Sequence, residues 1–229
     1  MKPIFSASLM CMDFLHVEED LKALEKGCSM LHADIMDGHF AKNITLSPDF
    51  IHAIKSIAKV PIDVHLMVTD PENYLDKLID LKVDCISLHL ETINVNAFRL
   101  IRKIKKAGIK FGLVLNPATP IDAAEYLLKE TDILTIMAVD VGYAGQPFIT
   151  PMLEKISKAK KLKEKEGYSY IIQVDGGCGP KTYHDLWQAG ATSFVMGSSG
   201  LFGRADTLTE ACKIMKREFG EATRNEGEE

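Results

Sequence analysis

The chain is 229 residues long, 46% hydrophobic, and carries a formal net charge of −5. That length suits one closed α/β barrel, which needs about 200–250 residues, and the hydrophobic share is enough for one large core. The acidic balance argues against a nucleic-acid partner, whose phosphates want a basic face, and no apolar stretch approaches the ~20 residues that span a membrane.

Short apolar, β-branched runs alternate with amphipathic ones along the chain. In order, a strand is predicted at 4–8 and a helix at 17–27, then strand 30–35 and helix 48–57, strand 62–66 and helix 71–81, strand 84–90 and helix 94–107. The second half repeats the alternation with strand 110–115 and helix 120–129, strand 133–138 and helix 151–166, strand 170–175 and helix 180–189, strand 193–197 and helix 205–219. Pro48, Pro71, Pro120, Pro151 and Pro180 open helical runs, where the missing N–H costs nothing. Gly27, Gly108 and Gly190 follow helical runs as C-caps. The strands read as nearly continuous hydrophobic segments, as expected when both faces are buried. An open doubly wound sheet shares this alternation, but eight βα units in this length favour a (β/α)8 TIM barrel. No linker or composition shift divides the chain, so residues 1–229 are expected to form a single domain, with the polar tail 220–229 frayed.

The five cysteines (Cys11, Cys28, Cys85, Cys178 and Cys212) are odd in number, scattered and without a CxxC pair, which suits free thiols in a reducing cytoplasmic compartment. No signal peptide is expected, because the opening apolar run is too short. The lysine-rich run 158–166 is broken by acids on a helical pattern and reads as a solvated helix face.

In such barrels function sits at the C-terminal ends of the strands. The second strand carries His32 and Asp34, two positions apart and so on one face. The third carries His65, the fourth ends with His89 and Glu91, and the seventh ends at Asp175. His32, Asp34, His65 and Asp175 on one mouth give two imidazoles and two carboxylates, donors that zinc, manganese, cobalt or iron accept. A purely hydrogen-bonded cluster is the alternative reading. His39 lies beyond a loop turn, and His16, His52 and His184 fall in helical segments, where a surface position is expected.

A second signal is independent of the first. Gly176-Gly177 follows the seventh strand and Gly197-Ser198-Ser199-Gly200 the eighth, where barrels commonly hold phosphate on backbone N–H groups. Gly142-Tyr143-Ala144-Gly145-Gln146 reads as a lid with glycine hinges, or else as a plain surface loop. Together these features suit a small phosphorylated substrate with a metal and two carboxylates at its other end. Two carboxylates on opposite sides of one carbon are what a two-base epimerisation needs: one removes a proton from one face, and the other delivers a proton to the opposite face. A metal would polarise the adjacent carbonyl.

The stretches Ser6-Ala-Ser-Leu-Met, His32-Ala-Asp-Ile-Met-Asp-Gly-His-Phe, Asp63-Val-His-Leu-Met-Val, Gly112-Leu-Val-Leu-Asn-Pro-Ala-Thr-Pro, Gly142-Tyr-Ala-Gly-Gln-Pro-Phe-Ile and Val174-Asp-Gly-Gly resemble the ribulose-phosphate 3-epimerase family, in register from Ile4 to about Phe219. The resemblance implies a (β/α)8 barrel of the ribulose-phosphate-binding type that acts on a ketose phosphate. It implies one divalent ion per subunit (zinc, manganese, cobalt, iron or magnesium) on His32, Asp34, His65 and Asp175, with Asp34 and Asp175 as the acid/base pair. Ser8 and His65 would meet the substrate, and Gly142, Tyr143, Ala144 and Gly145 would close over it. Gly176, Gly177, Gly197, Ser198 and Ser199 would hold its phosphate, and Met36, Met67 and Met137 would line the space above the metal. The family also implies a homo-oligomer.

Ser8-Leu-Met-Cys-Met-Asp13, Leu90-Glu-Thr-Ile-Asn94 with Ala97-Phe-Arg-Leu-Ile101, and Ser199-Gly-Leu-Phe202 look closest to members acting on D-allulose 6-phosphate. Interconversion of that sugar with D-fructose 6-phosphate is therefore expected ahead of the ribulose/xylulose 5-phosphate reaction. Val141 stands where the family usually has proline, Tyr143 replaces the usual Phe and adds a hydroxyl, and Cys11 and Met12 replace smaller residues. A decarboxylase or aldol-type synthase barrel usually places a lysine among its strand ends, and no strand here ends in one. A non-catalytic sugar-phosphate binder would not require two opposed carboxylates.

Overall fold

The computed structural model describes residues 2–224. The strands are β1 (Ile4–Ser8), β2 (Met30–Asp37), β3 (Ile44–Thr45), β4 (Ile62–Met67), β5 (Cys85–His89), β6 (Lys110–Leu115), β7 (Ile133–Met137), β8 (Ile171–Asp175) and β9 (Ser193–Met196). All but β3 run parallel, each beside its neighbour in sequence, and β1 pairs with both β2 and β9, so the sheet closes. Helices α1 (Val17–Gly27), α2 (Pro48–Lys55), α3 (Glu72–Asp80), α4 (Leu90–Ile93), α5 (Ala97–Lys106), α6 (Met152–Glu166), α7 (Tyr183–Ala189) and α8 (Leu208–Ala222) connect them. The protein is a (β/α)8 TIM barrel.

Strand positions follow the sequence closely; several connections do not. The helix expected at 120–129 is two 3-10 turns, Ile121–Ala124 and Leu128–Glu130. Its buried residues Ile121, Ala124, Leu127 and Leu128 recur mainly at every third position, which matches three residues per turn. The helix expected at 94–107 is α5, which begins only after Asn96, and the unexpected short helix α4 starts directly after His89, where the strand was expected to reach Leu90. The polar tail expected to fray from Gly220 stays helical through Ala222, and residues 225–229 lie outside the described residues. Strand β3 was not expected; it is two residues that pair antiparallel with the end of β2. No helix among the described residues is long and apolar enough to cross a membrane.

The large apolar core lies between the barrel wall and its helices. The barrel's inside is different. Ile4, Met30, Cys85 and Ile133 form a separate apolar cluster at the strands' N-terminal ends. Above it the interior turns polar: Thr135 Oγ1 donates to Gln173 Oε1 at 2.8 Å, Gln173 Nε2 to Ser193 Oγ at 3.1 Å, and Ser87 Oγ to Asp63 Oδ1 at 2.6 Å. All five of these side chains are buried. Alternation along each strand carries this inward-facing set up to the C-terminal mouth. Polar interior groups like these are tolerable only because they satisfy one another.

Gly112 makes the layer possible. It pairs with Ser87, and a Cβ there would stand 2.0 Å from Ser87 Oγ and 2.9 Å from Ser87 Cα. Gly112→Ala is therefore expected to lower stability by roughly 1–3 kcal/mol through overpacking, read as a lower urea midpoint. An unchanged midpoint would contradict this packing.

Candidate active site

Register brings the first three residues together. On β2, His32 and Asp34 face the same way, and β4 pairs His65 directly with Asp34. Asp175 is the last residue of β8, so β9 and β1 stand between it and β2 in the wall. His32 Nε2 lies 3.3 Å from Asp34 Oδ1, 3.3 Å from His65 Nδ1 and 3.6 Å from Asp175 Oδ2. His65 Nδ1 lies 3.2 Å from Asp34 Oδ1 and 3.5 Å from Asp175 Oδ2. One donor atom from each of the four falls within 4.8 Å of all the others. Both imidazoles and Asp34 are buried, while the Asp175 side chain remains 15% exposed.

The outer atoms of the cluster are tied down. Asp34 Oδ2 accepts from Ser8 Oγ at 2.9 Å, which leaves Oδ1 for the centre. His32 Nδ1 is 3.0 Å from Asp63 Oδ2. With its proton there, His32 turns the Nε2 lone pair inward, the usual carboxylate–histidine support of a metal ligand. His65 Nε2 meets His89 Nε2 at 2.8 Å. Asp63 was missed from sequence, although its place two residues before His65 was a signal for the same inward face.

Burial works against charge on all four groups, and their mutual attraction overrides it. The carboxylates of Asp34, Asp175 and Asp63 hold His32 well above the ordinary histidine range despite burial. His65 is also raised, by Asp175 and Asp34. Asp34 is lowered against its burial by His32 and His65, and Asp175 by the same pair. Burial pushes His89 down to about 4, so it is neutral. Two nitrogens and two carboxylate oxygens, converging and short of positive charge, are a donor set that fits a divalent zinc, manganese, cobalt or iron ion.

The residues expected to hold phosphate also come together. Gly176, Gly177, Gly197, Ser198 and Ser199 line one cavity with Ser8, Tyr143, Ala144 and Gly145. Cys11 shares it, with Sγ 3.7 Å from Ser198 Oγ. Gly176 has φ +102°, and a Cβ there would stand 2.5 Å from Val139 Cγ2, so no other residue fits this turn. The serine–glycine stretch closes a turn of its own, with Leu201 N–H and Phe202 N–H donating back to Gly197 O at 3.0 and 3.2 Å, and α8 begins at Leu208 rather than at the expected residue 205.

Other expected site residues stand further out. Gly142 is buried, its nearest neighbour being Ala41 rather than the cavity. Met36 and Met67 pack with Ala41, Met10, Phe40 and Val141 in a small apolar cluster, while Met137 pairs in register with Asp175. The loop at 142–146, expected to act as a lid, is tied to the loop after β2. Tyr143 hydroxyl donates to Lys42 O at 2.5 Å, and Asn43 Nδ2 donates to Gly142 O at 2.7 Å. His16, His39, His52 and His184 are exposed.

The sequence profile of the ribulose-phosphate 3-epimerase family matches residues 4–202. The chain belongs to that family. It is accordingly an isomerase of the carbohydrate-phosphate 3-epimerase class. It is 39% identical over 215 residues to the chloroplastic ribulose-5-phosphate-3-epimerase of Arabidopsis thaliana, covering 93% of this chain and 76% of that one. It is 36% identical over 201 residues to the ribulose-phosphate 3-epimerase of Bacillus subtilis (strain 168), covering 87% and 92%. Among solved structures, KGPDC from Streptococcus mutans shares the fold with a TM-score of 0.72 at 14% identity, covering 96% of this chain and 98% of that one. The tryptophan synthase α-subunit of Pyrococcus furiosus does so with a TM-score of 0.68 at 16% identity, covering 96% and 97%.

The pKa directions set a pH dependence. The raised values of His32 and His65 stabilise the metal-free fold fully below about 6.5, their unfolded value, and that contribution is lost as pH rises through the higher folded values. The lowered values of Asp34 and Asp175 contribute above about 4 and are lost as pH falls through the folded values. A metal competes with the imidazole protons. The rise in Tm on adding manganese is thus expected to be larger at about pH 8 than at about pH 6. A rise that shrinks with pH would contradict this charge balance.

Proposed function

We propose that this epimerase interconverts D-ribulose 5-phosphate and D-xylulose 5-phosphate by moving the C3 proton between Asp34 and Asp175. The observation that carries the reading is their placement on β2 and β8, with donor oxygens meeting the same two imidazole nitrogens from different parts of the wall. A substrate carbon above that cluster would present one face to each carboxylate.

One aspartate begins as carboxylate and takes the C3 proton; the other begins protonated and delivers its proton to the opposite face. The reverse reaction exchanges the roles. Ser8 keeps Asp34 oriented through its 2.9 Å hydrogen bond. Asp175, more exposed than Asp34, closes the cluster on the solvent side. The glycine and serine turns after β8 and β9 hold the phosphate, and Tyr143, Ala144 and Gly145 exclude water from the reacting carbon. His32, Asp34, His65 and Asp175 would hold a divalent ion, which would supply Lewis acidity at the carbonyl beside the reacting carbon. Met36 and Met67 support the mouth from the side, and Met137 does so beside Asp175.

The five-carbon sugar takes precedence over the six-carbon one expected from loop residues. Relatives covering most of this chain are named for ribulose phosphate, and their likeness runs through the whole barrel rather than through three short stretches. The five cysteines, all free thiols, suit a cytoplasmic setting.

Epimerisation should be faster on D-ribulose 5-phosphate than on D-allulose 6-phosphate, lost on chelation and restored by manganese. Faster turnover of the six-carbon sugar would overturn the substrate, and no turnover of either would overturn the activity. Asp34→Asn and Asp175→Asn should each lower kcat by about 10²–10⁴-fold in steady-state assays. A variant that kept wild-type kcat would remove that aspartate from the proton path.

A further inference from the structure

Strand β5 ends at His89, and α4 begins at the next residue. This abrupt junction places His89 and Glu91 just outside the four-residue cluster. The His89 ring is buried and stacked on His65 with centroids 4.9 Å apart, and the two Nε2 atoms are 2.8 Å apart. At that distance one nitrogen donates and the other accepts.

The direction of that bond follows from what lies at either end. His65 Nδ1 is the atom that faces His32, Asp34 and Asp175. A metal takes a lone pair, so ligation there requires the His65 proton on Nε2. His89 Nε2 then accepts, and the His89 proton sits on Nδ1. On that side Glu91 Oε2 stands 3.4 Å away. His89 Nδ1 and Glu91 Oε2 are both buried with no hydrogen-bond partner of their own. Each supplies what the other lacks. The opposite tautomer would set a bare nitrogen lone pair against a carboxylate and leave a proton on the ligating atom.

Glu91 is itself held in place. Its Oε1 accepts from Asn116 N–H at 3.0 Å and from the Thr119 hydroxyl. Lys155 Nζ pins the same turn by donating to Asn116 O at 2.8 Å and Pro117 O at 2.9 Å. Phe40 covers His89 with its ring centroid at 4.7 Å.

We propose that His89 and Glu91 are positioning residues that fix the tautomer of His65, so that a divalent cation is bound through Nδ1. The inference rests on the four-residue cluster being a metal site. His32 receives its support directly from Asp63, whereas His65 receives it from Glu91 through one intervening imidazole.

The test is the manganese dissociation constant of wild type, His89→Ala and His89→Gln, with thermal melting of each metal-free form as the folding control. The glutamine amide oxygen can accept from His65 where His89 Nε2 did. His89→Ala should weaken binding by about 10–100-fold, and His89→Gln should restore most of that loss. In zinc-loaded wild type, ¹⁵N spectra of the histidines should show the proton on Nε2 of His65 and on Nδ1 of His89, a readout that needs no variant to fold. Wild-type affinity in His89→Ala, or the reverse tautomers, would overturn the relay while leaving the metal site standing. Wild-type protein that binds neither ion would overturn the metal site and the relay together.

Discussion

Two carboxylates and two imidazoles face one another at the buried mouth of the barrel, and a positive charge has to stand among them. Their donor atoms lie within 4.8 Å of one another, too close for the anionic groups to coexist unbalanced. Protons supply the balance in the metal-free protein, which is why both histidines are held above their ordinary range. A divalent ion would supply it without occupying the nitrogens with hydrogen. The same imbalance that makes the cluster costly to bury suits it to a cation.

The surrounding barrel holds that cluster rigid. Each imidazole has its outer nitrogen engaged, His32 by Asp63 and His65 by His89. Asp63 is steadied in turn by Ser87, and Ser87 has room only because Gly112 faces it. The site is thus continuous with a polar layer reaching down the interior through Thr135, Gln173 and Ser193, and an apolar plug closes the far end. Stability comes chiefly from the outer core under the helices, which leaves the interior free to serve chemistry. At the rim, Tyr143 and Asn43 join residues 142–146 to the loop after β2.

Much of this was legible in the sequence because barrel strands carry period-two information directly. His32 with Asp34 announced an inward polar face, and the strand-end positions of His65 and Asp175 could be read without coordinates. What escaped was whatever depends on contact between distant segments. His89 and Glu91 were visible at a strand end, but their junction with His65 requires the strand–helix turn at Leu90 and the stacking of neighbouring strands. The Tyr143 hydroxyl was noted as an addition, while its acceptor, Lys42 O, lies 101 residues away. The 3-10 turns after β6 were misread because proline and scattered leucines suit either helix type over so short a span. The preference for a six-carbon sugar rested on loop side chains, which say little about pocket length before the loops are placed.

Asp34 and Asp175 differ in a way that suits opposite duties: one is sealed beneath Ser8, the other opens toward solvent. A single base would return the abstracted proton to the product, whereas two bases exchange it with water. The direct test is the first few per cent of D-ribulose 5-phosphate turnover in D₂O, with C3 of product and remaining substrate analysed by NMR or mass spectrometry. The account predicts product carrying solvent deuterium at C3 and recovered substrate still carrying protium. Product that retains the original proton would contradict it.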